Sequence, residues 1–145
     1  MDNRKYWEVS YYDTDHDIAD PIQVVVTTPA TGTYNLGCEV GCNNGTVTQW
    51  YEGVTIGVAG TAMVWRSTIR TDALEDETHP VAVEQGGTYT GGTLIRQRLI
   101  AWSYNDPEEP PQVWTLKPST TYLIKCTTLA DNNDTTLVMR LSKRR

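Results

Sequence analysis

Phenylalanine is absent from the 145 residues, and cysteine and histidine number only 3 and 2. The three cysteines, Cys38, Cys42 and Cys126, are odd in number and thinly spread, which excludes the dense disulfide framework of a small secreted domain. Cys38 and Cys42 have no second cysteine pair or neighbouring histidine to complete four zinc ligands. Positive charge is also short: 12 Lys and Arg stand against 18 Asp and Glu, for a net charge of −6. A generalised nucleic-acid binder needs the opposite balance. No apolar stretch approaches the roughly 20 residues of a membrane-spanning helix, and no run keeps a 3.6-residue apolar period for three turns. Met1 to Trp7 has no apolar core of a secretory signal, so synthesis in a cytosol is expected.

What is abundant favours strands and turns. Threonine occurs 22 times, with 8 Tyr, 5 Trp and 11 Gly. Such a composition fits pleated, half-buried surfaces better than helices. In Trp114 to Leu141, Tyr122, Ile124 and Cys126 alternate with Leu123, Lys125 and Thr127. After Asp131-Asn132-Asn133-Asp134, the residues Leu137, Met139 and Leu141 alternate with Val138 and Arg140. A period of two places each set on one strand face. The Asn/Asp cluster predicts a tight turn and thus a C-terminal β-hairpin, with Tyr122, Ile124, Cys126, Leu137 and Met139 in the core.

Upstream, Ile22 to Thr28 reads as a strand with three consecutive valines. Tyr34, Leu36, Cys38, Val40 and Cys42 occupy alternate positions, and Asn43-Asn44-Gly45 predicts a hairpin turn into a strand at Val47 to Glu52. Thr93 to Ser103 reads as the longest strand, and because its apolar residues do not alternate strictly, a bulge or an exposed apolar face is expected. Asp72 to His79 and Asn105 to Pro111 read as acidic loops. Asp13 to Asp20 has the alternate aspartates of a calcium loop, but Ile18 and Val24 stand where Gly and Glu are required, so it reads as a solvated acidic turn.

Glu52 and Glu84 each precede a Gly-Thr pair and then an arginine, Arg66 or Arg98. This echo predicts two similar strand–loop–strand units. The two glutamates also form a candidate glycosidase pair, although ending strands beside glycine turns accounts for them more simply. His16 and His79 lie in acidic stretches, and no serine has a nucleophile-elbow context. No catalytic, metal or cofactor site is expected.

Short strands at regular intervals, roughly eight to ten of them, predict an all-β antiparallel sandwich of the jelly-roll type. Residues 1–21 are expected to form an N-terminal arm or edge strand, 22–141 the sandwich, and 142–145 a basic tail.

Three segments resemble one family. Val24 to Gly32 resembles a strand ending in a Thr-Pro-Ala-Thr turn. Tyr51-Glu52-Gly53-Val54-Thr55, with Gly60-Thr61, resembles a Tyr-Glu-Gly-x-Thr segment with a downstream Gly-Thr. Trp114-Thr115-Leu116-Lys117-Pro118 with Thr121-Tyr122-Leu123-Ile124 resembles a Leu-Lys-Pro-Asn-Thr-x-Tyr-Leu segment, with Ser119 in place of Asn. The family is that of small jelly-roll decoration, or cementing, proteins of tailed bacteriophages. Trp65-Arg66-Ser67 departs from the family's Asn-Arg pairs, and the basic end departs from its acidic terminal strand. The resemblance implies a non-enzymatic virion protein without cofactor. Such a protein binds the major capsid protein on the shell exterior as a dimer or trimer, and engages neither nucleic acid nor membrane. Arg4, Lys5, Tyr6, Trp7, Trp65, Arg66, Lys143, Arg144 and Arg145 are then the candidates for capsid or subunit contact. The alternative is a carbohydrate- or receptor-binding sandwich, as in a tail fibre, with Trp50, Trp65, Trp102 and Trp114 stacking on sugar rings.

Overall fold

A computed structural model describes residues 6–68, 79–100 and 113–144. The described residues form eleven strands: β1 (Tyr6–His16), β2 (Ile22–Thr27), β3 (Thr33–Cys42), β4 (Thr46–Val58), β5 (Thr61–Ala62), β6 (Arg66–Ser67), β7 (Ala82–Gln85), β8 (Thr88–Ile100), β9 (Val113–Leu116), β10 (Thr121–Thr128) and β11 (Asn133–Arg144). They make two antiparallel sheets, in the orders β6-β1-β11-β3-β9 and β5-β7-β2-β10-β4-β8. Strands β1 to β4 read forward pair in turn with β11, β10, β9 and β8 read backward. That is a long antiparallel hairpin rolled up on itself, the jelly-roll order expected from the sequence. The short β5, β6 and β7 form an insert between β4 and β8 that widens both sheets.

The core lies between the sheets. Trp7, Val9, Tyr34, Leu36, Leu137, Met139 and Leu141 face it from one side, and Val24, Val26, Trp50, Tyr122, Ile124 and Cys126 from the other. Cys38, Cys42 and Cys126 are free thiols buried there. Burial pushes the Cys126 thiol up to about 12 and raises Cys38 well above its ordinary range, because a thiolate is costly away from water.

Two expected hairpins are instead arches between sheets. β10 pairs with β2 and β4, whereas β11 pairs with β1 and β3. The Asp131–Asn132 turn therefore carries the chain across the core, and Asn44-Gly45 does the same between β3 and β4. Alternation reports which face of a strand is apolar but not which strand lies beside it. The two arches lock to each other. Asn133 accepts the Asn43 and Asn44 N–H groups through Oδ1 at 3.2 and 3.1 Å, and Asp134 N–H donates to Asn43 Oδ1 at 3.0 Å.

The Glu52 and Glu84 segments are not two copies of one unit. Beyond Glu52, β4 leaves β10 and continues paired only with β8, so that Glu52–Val58 and Thr88–Thr93 form a two-stranded ribbon. Only Ala59 and Gly60 then separate β4 from β5, which lies four strand positions away in the same sheet. Four spacings are about 19 Å, close to the roughly 20 Å spanned by Gly53 to Val58 at strand rise. The ribbon must cross the outer face of its own sheet. Accordingly Val54, with Ile56 and Tyr89, packs on Val25 and Leu123, which point away from the main core. This explains the unbroken valine run: Val24 and Val26 fill the central core while Val25 lies beneath the ribbon.

Within the expected N-terminal arm or edge strand, the described Tyr6–His16 form β1 of the first sheet. β1 pairs along its length with β11, but β6 covers it only at Trp7 and Glu8, so beyond these it is an edge among the described residues. The last strand does not stop at Leu141. Lys143 and Arg144 pair with Tyr34 and Thr33, so the expected tail is strand up to Arg144. The expected bulge in β8 is present, at the register shift opposite Trp50 and Tyr51.

Candidate functional site

The candidate contact residues do not form one surface. Arg4, Lys5 and Arg145 lie outside the described residues, as do Trp102 and the acidic loop at 105–111. Trp7 and Trp65 are core residues, 8% and 2% exposed. Trp65 donates through Nε1 to the Val81 carbonyl at 3.0 Å. Both rings lie against His79, Trp7 edge-on with centroids 4.5 Å apart and Trp65 tilted at 6.1 Å. These indoles are taken up by the core of the monomer: the side chains that suit an interface by size also suit the core, and the fold uses them there. Trp50 is buried and Trp114 half-buried, their rings 6.1 Å apart inside the sandwich. The tryptophans proposed to stack on sugars, so far as they are described, face inward. Arg66, Lys143 and Arg144 are exposed, and Tyr6 is half-buried at the start of β1.

The three segments that carry the family resemblance meet in one corner. Tyr122 OH accepts the Lys117 backbone N–H at 2.8 Å and donates to Glu52 Oε2 at 3.2 Å. Lys117 Nζ reaches Glu52 Oε1 at 2.6 Å. Thr28 Oγ1 donates to the Lys117 carbonyl at 2.6 Å and accepts the Thr120 N–H at 3.0 Å, while Ser119 N–H donates to the Pro29 carbonyl at 3.0 Å. Ser119 takes φ 48°, a left-handed turn position that Asn adopts more readily than Ser. The Lys117 hydrogen bond draws the Glu52 carboxyl below its usual range, and Glu52 in turn raises Lys117.

The other glutamate repeats this chemistry under the ribbon. Tyr89 OH accepts the Gly87 N–H at 3.0 Å and donates to Glu84 Oε2 at 3.1 Å, and the same oxygen accepts the Gly60 N–H. Each carboxylate is thus a clasp on a tyrosine hydroxyl and a glycine-rich or proline-containing turn. The sequence echo marks two such clasps.

The acidic stretch after β1 also has a structural task. Asp17 Oδ1 accepts the Asn132 N–H at 3.0 Å, and Asp131 Oδ1 accepts the Ile18 N–H at 2.9 Å. The two loops hold one another reciprocally. Next to them His16 is completely buried, its Nδ1 2.8 Å from Thr135 Oγ1. Burial lowers its pKa, outweighing Asp13, Asp20 and Asp17, which favour the proton. A depressed histidine stays neutral in the fold while the unfolded chain protonates. Stability contributed by neutral His16 is therefore present above the ordinary value of about 6.5 and is lost as pH falls through that value towards the folded pKa. In an NMR titration the His16 ring should begin to titrate below the ordinary histidine value, and His16→Gln should flatten the loss of melting temperature on acidification. A ring titrating at or above the ordinary value would contradict the burial.

One broad sheet face remains open. The β4–β8 ribbon covers part of the outer face of its sheet, but no described residues cross the outer face of β1-β11-β3-β9. On that face Tyr6, Ser142, Asn35 and Thr115 form one cross-strand row, and Glu8, Arg140, Gly37 and Val113 the next. Arg140 Nη2 bonds Glu8 Oε2 at 3.1 Å and Thr115 Oγ1 donates to Asn35 Oδ1 at 2.8 Å. A groove of about 520 Å³ lies over these rows. None of these positions except Tyr6 was a sequence candidate; the available signal was Gly37, a glycine inside an alternating strand rather than at a turn.

Family models, curated proteins and solved structures were compared with the chain, and none matches it.

Proposed function

We propose that this protein is a non-enzymatic virion component that binds the outer surface of a tailed-phage capsid and strengthens the shell. The observation that supports this reading is the corner at Lys117. Three segments distant in sequence, each resembling the decoration-protein family, converge there on Glu52, Tyr122 and Thr28. A resemblance made of unrelated short matches has no reason to assemble into one hydrogen-bonded junction. The partners are the major capsid protein and further copies of this chain as a dimer or trimer.

The test is co-sedimentation of the protein with undecorated capsids at several salt concentrations, with imaging of the particles to locate it on shell or tail. Deleting the residues after Leu141 would remove ladder pairs as well as charge, so substitution is the cleaner probe. Lys143→Ala/Arg144→Ala is expected to leave the melting temperature nearly unchanged, since both side chains are exposed. It should weaken attachment most at low salt, where rim charges are least screened. Wild-type protein that fails to co-sediment under any condition overturns the reading. Full-strength binding by the double variant removes these two charges from the contact.

A further inference from the structure

We propose that the groove over the outer face of β11 and β3, lined in part by the buried Gly37, is a binding site for a neutral saccharide. Gly37 is an interior residue of β3, paired with Arg140 on one side and Val113 on the other. Glycine weakens a strand there, because it packs nothing and loses more backbone freedom than other residues. Two reasons commonly justify that cost, and both are missing. Its φ lies outside the left-handed region, and an added Cβ would sit 3.7 Å from Val113 Cγ2 and 3.9 Å from the Arg140 carbonyl, which are ordinary contacts. Neither backbone conformation nor crowding requires glycine. Gly37 is buried between its neighbours, and a side chain added there would project from the face that the groove overlies.

The lining selects the ligand class. The volume of about 520 Å³ lies within the usual range for small-molecule sites. Val113 and Val138 provide apolar walls, and Tyr6 a ring for C–H faces. Asn35, Thr68 and Ser142 supply amide and hydroxyl groups around them. Asn35 has its Oδ1 engaged by Thr115, which leaves its NH₂ group as a donor. Charge is largely cancelled, since Arg140 pairs with Glu8, and the remaining Glu39 carboxylate accepts hydroxyls while disfavouring anions. Apolar walls, paired donors and acceptors, and no net positive charge suit a polyhydroxylated, uncharged ring. They do not suit a nucleotide or an acidic sugar. The inference does not depend on capsid attachment, and either can fail alone.

Because a Cβ at Gly37 makes only ordinary contacts, Gly37→Ala is the variant expected to keep the fold, and a larger side chain there tests the site. The full-length protein, labelled with ¹⁵N, is titrated with glucose, galactose, mannose, N-acetylglucosamine, their disaccharides and glucuronic acid. A neutral member should shift β3 and β11 amides, and glucuronic acid should bind more weakly. Gly37→Leu should weaken binding at least about tenfold, its amide spectrum reporting that the fold is kept, and Tyr6→Ala should weaken it as well. The proposal is overturned if no neutral sugar shifts these amides at millimolar concentration, or if Gly37→Leu binds like wild type. It is equally overturned if Gly37→Leu abolishes capsid co-sedimentation while no sugar binds, which would make the groove a protein dock.

Discussion

Tyr122→Ala is expected to destabilise the protein by about 3–5 kcal/mol, the range for removing a buried aromatic ring. Tyr122 is 2% exposed and faces the core from β10 between Val26 of β2 and Glu52 of β4. Its ring fills space between the sheets, and its hydroxyl closes the Lys117 corner. Loss of the ring leaves a cavity that flanking strands cannot collapse into without shifting both ladders. Small domains have only about 5–15 kcal/mol in total, so this variant should be largely unfolded in moderate urea. Tyr122→Phe separates the two contributions. It keeps the ring but deprives the Lys117 N–H of its acceptor, a loss of about 1–3 kcal/mol if that group remains away from water. Urea unfolding with an unchanged m-value measures both. An alanine variant weakened by less than about 1 kcal/mol would place the ring at the surface and refute the register of β10.

Gly87→Ala is expected to be the other severe substitution, and its cause is steric. A Cβ there would lie 2.5 Å from the Val58 carbonyl oxygen and 2.7 Å from the Gly60 nitrogen. Both are backbone atoms, so no side chain can swing away. At Gly60 the new Cβ would fall on the Gln85 carbonyl. The two glycines let the β4–β5 and β7–β8 connections pass in contact where the ribbon reaches the far edge of its sheet. Forcing them apart lifts Tyr89 from Glu84 and exposes Val25 and Leu123. The expected loss is at or above the upper end of the roughly 1–3 kcal/mol typical of overpacking, accompanied by binding of a hydrophobic dye. Gly53 and Gly86 are the controls. Their Cβ atoms would meet nothing within 4 Å, but φ is +77° and +74°, so alanine there should cost only the left-handed strain of about 1–2 kcal/mol. Equal effects at all four positions would remove the close crossing as the explanation.

The strand character, the all-β sandwich class, the identity of the central core and the burial of all three thiols follow from local chemistry. β-rich composition and two-residue alternation act within each strand, whatever it pairs with. That is why Tyr122, Ile124, Cys126, Leu137 and Met139 are readable as core before any partner is known. Pairing is a different matter. β10 and β11 look like a hairpin because a tight turn joins two amphipathic strands, yet the same pattern serves an arch whose strands face each other across a core. Only the competition among all strands for edges decides between these. Burial of large aromatics has the same ambiguity, since Trp7 and Trp65 suit an interface as well as an interior, and the second sheet claims them. The ribbon across Val25 and the groove at Gly37 depend on where distant strands lie in space. A run of three valines and a glycine between two core-facing residues of a strand are their traces in the sequence, and they acquire meaning only when the sheets have closed.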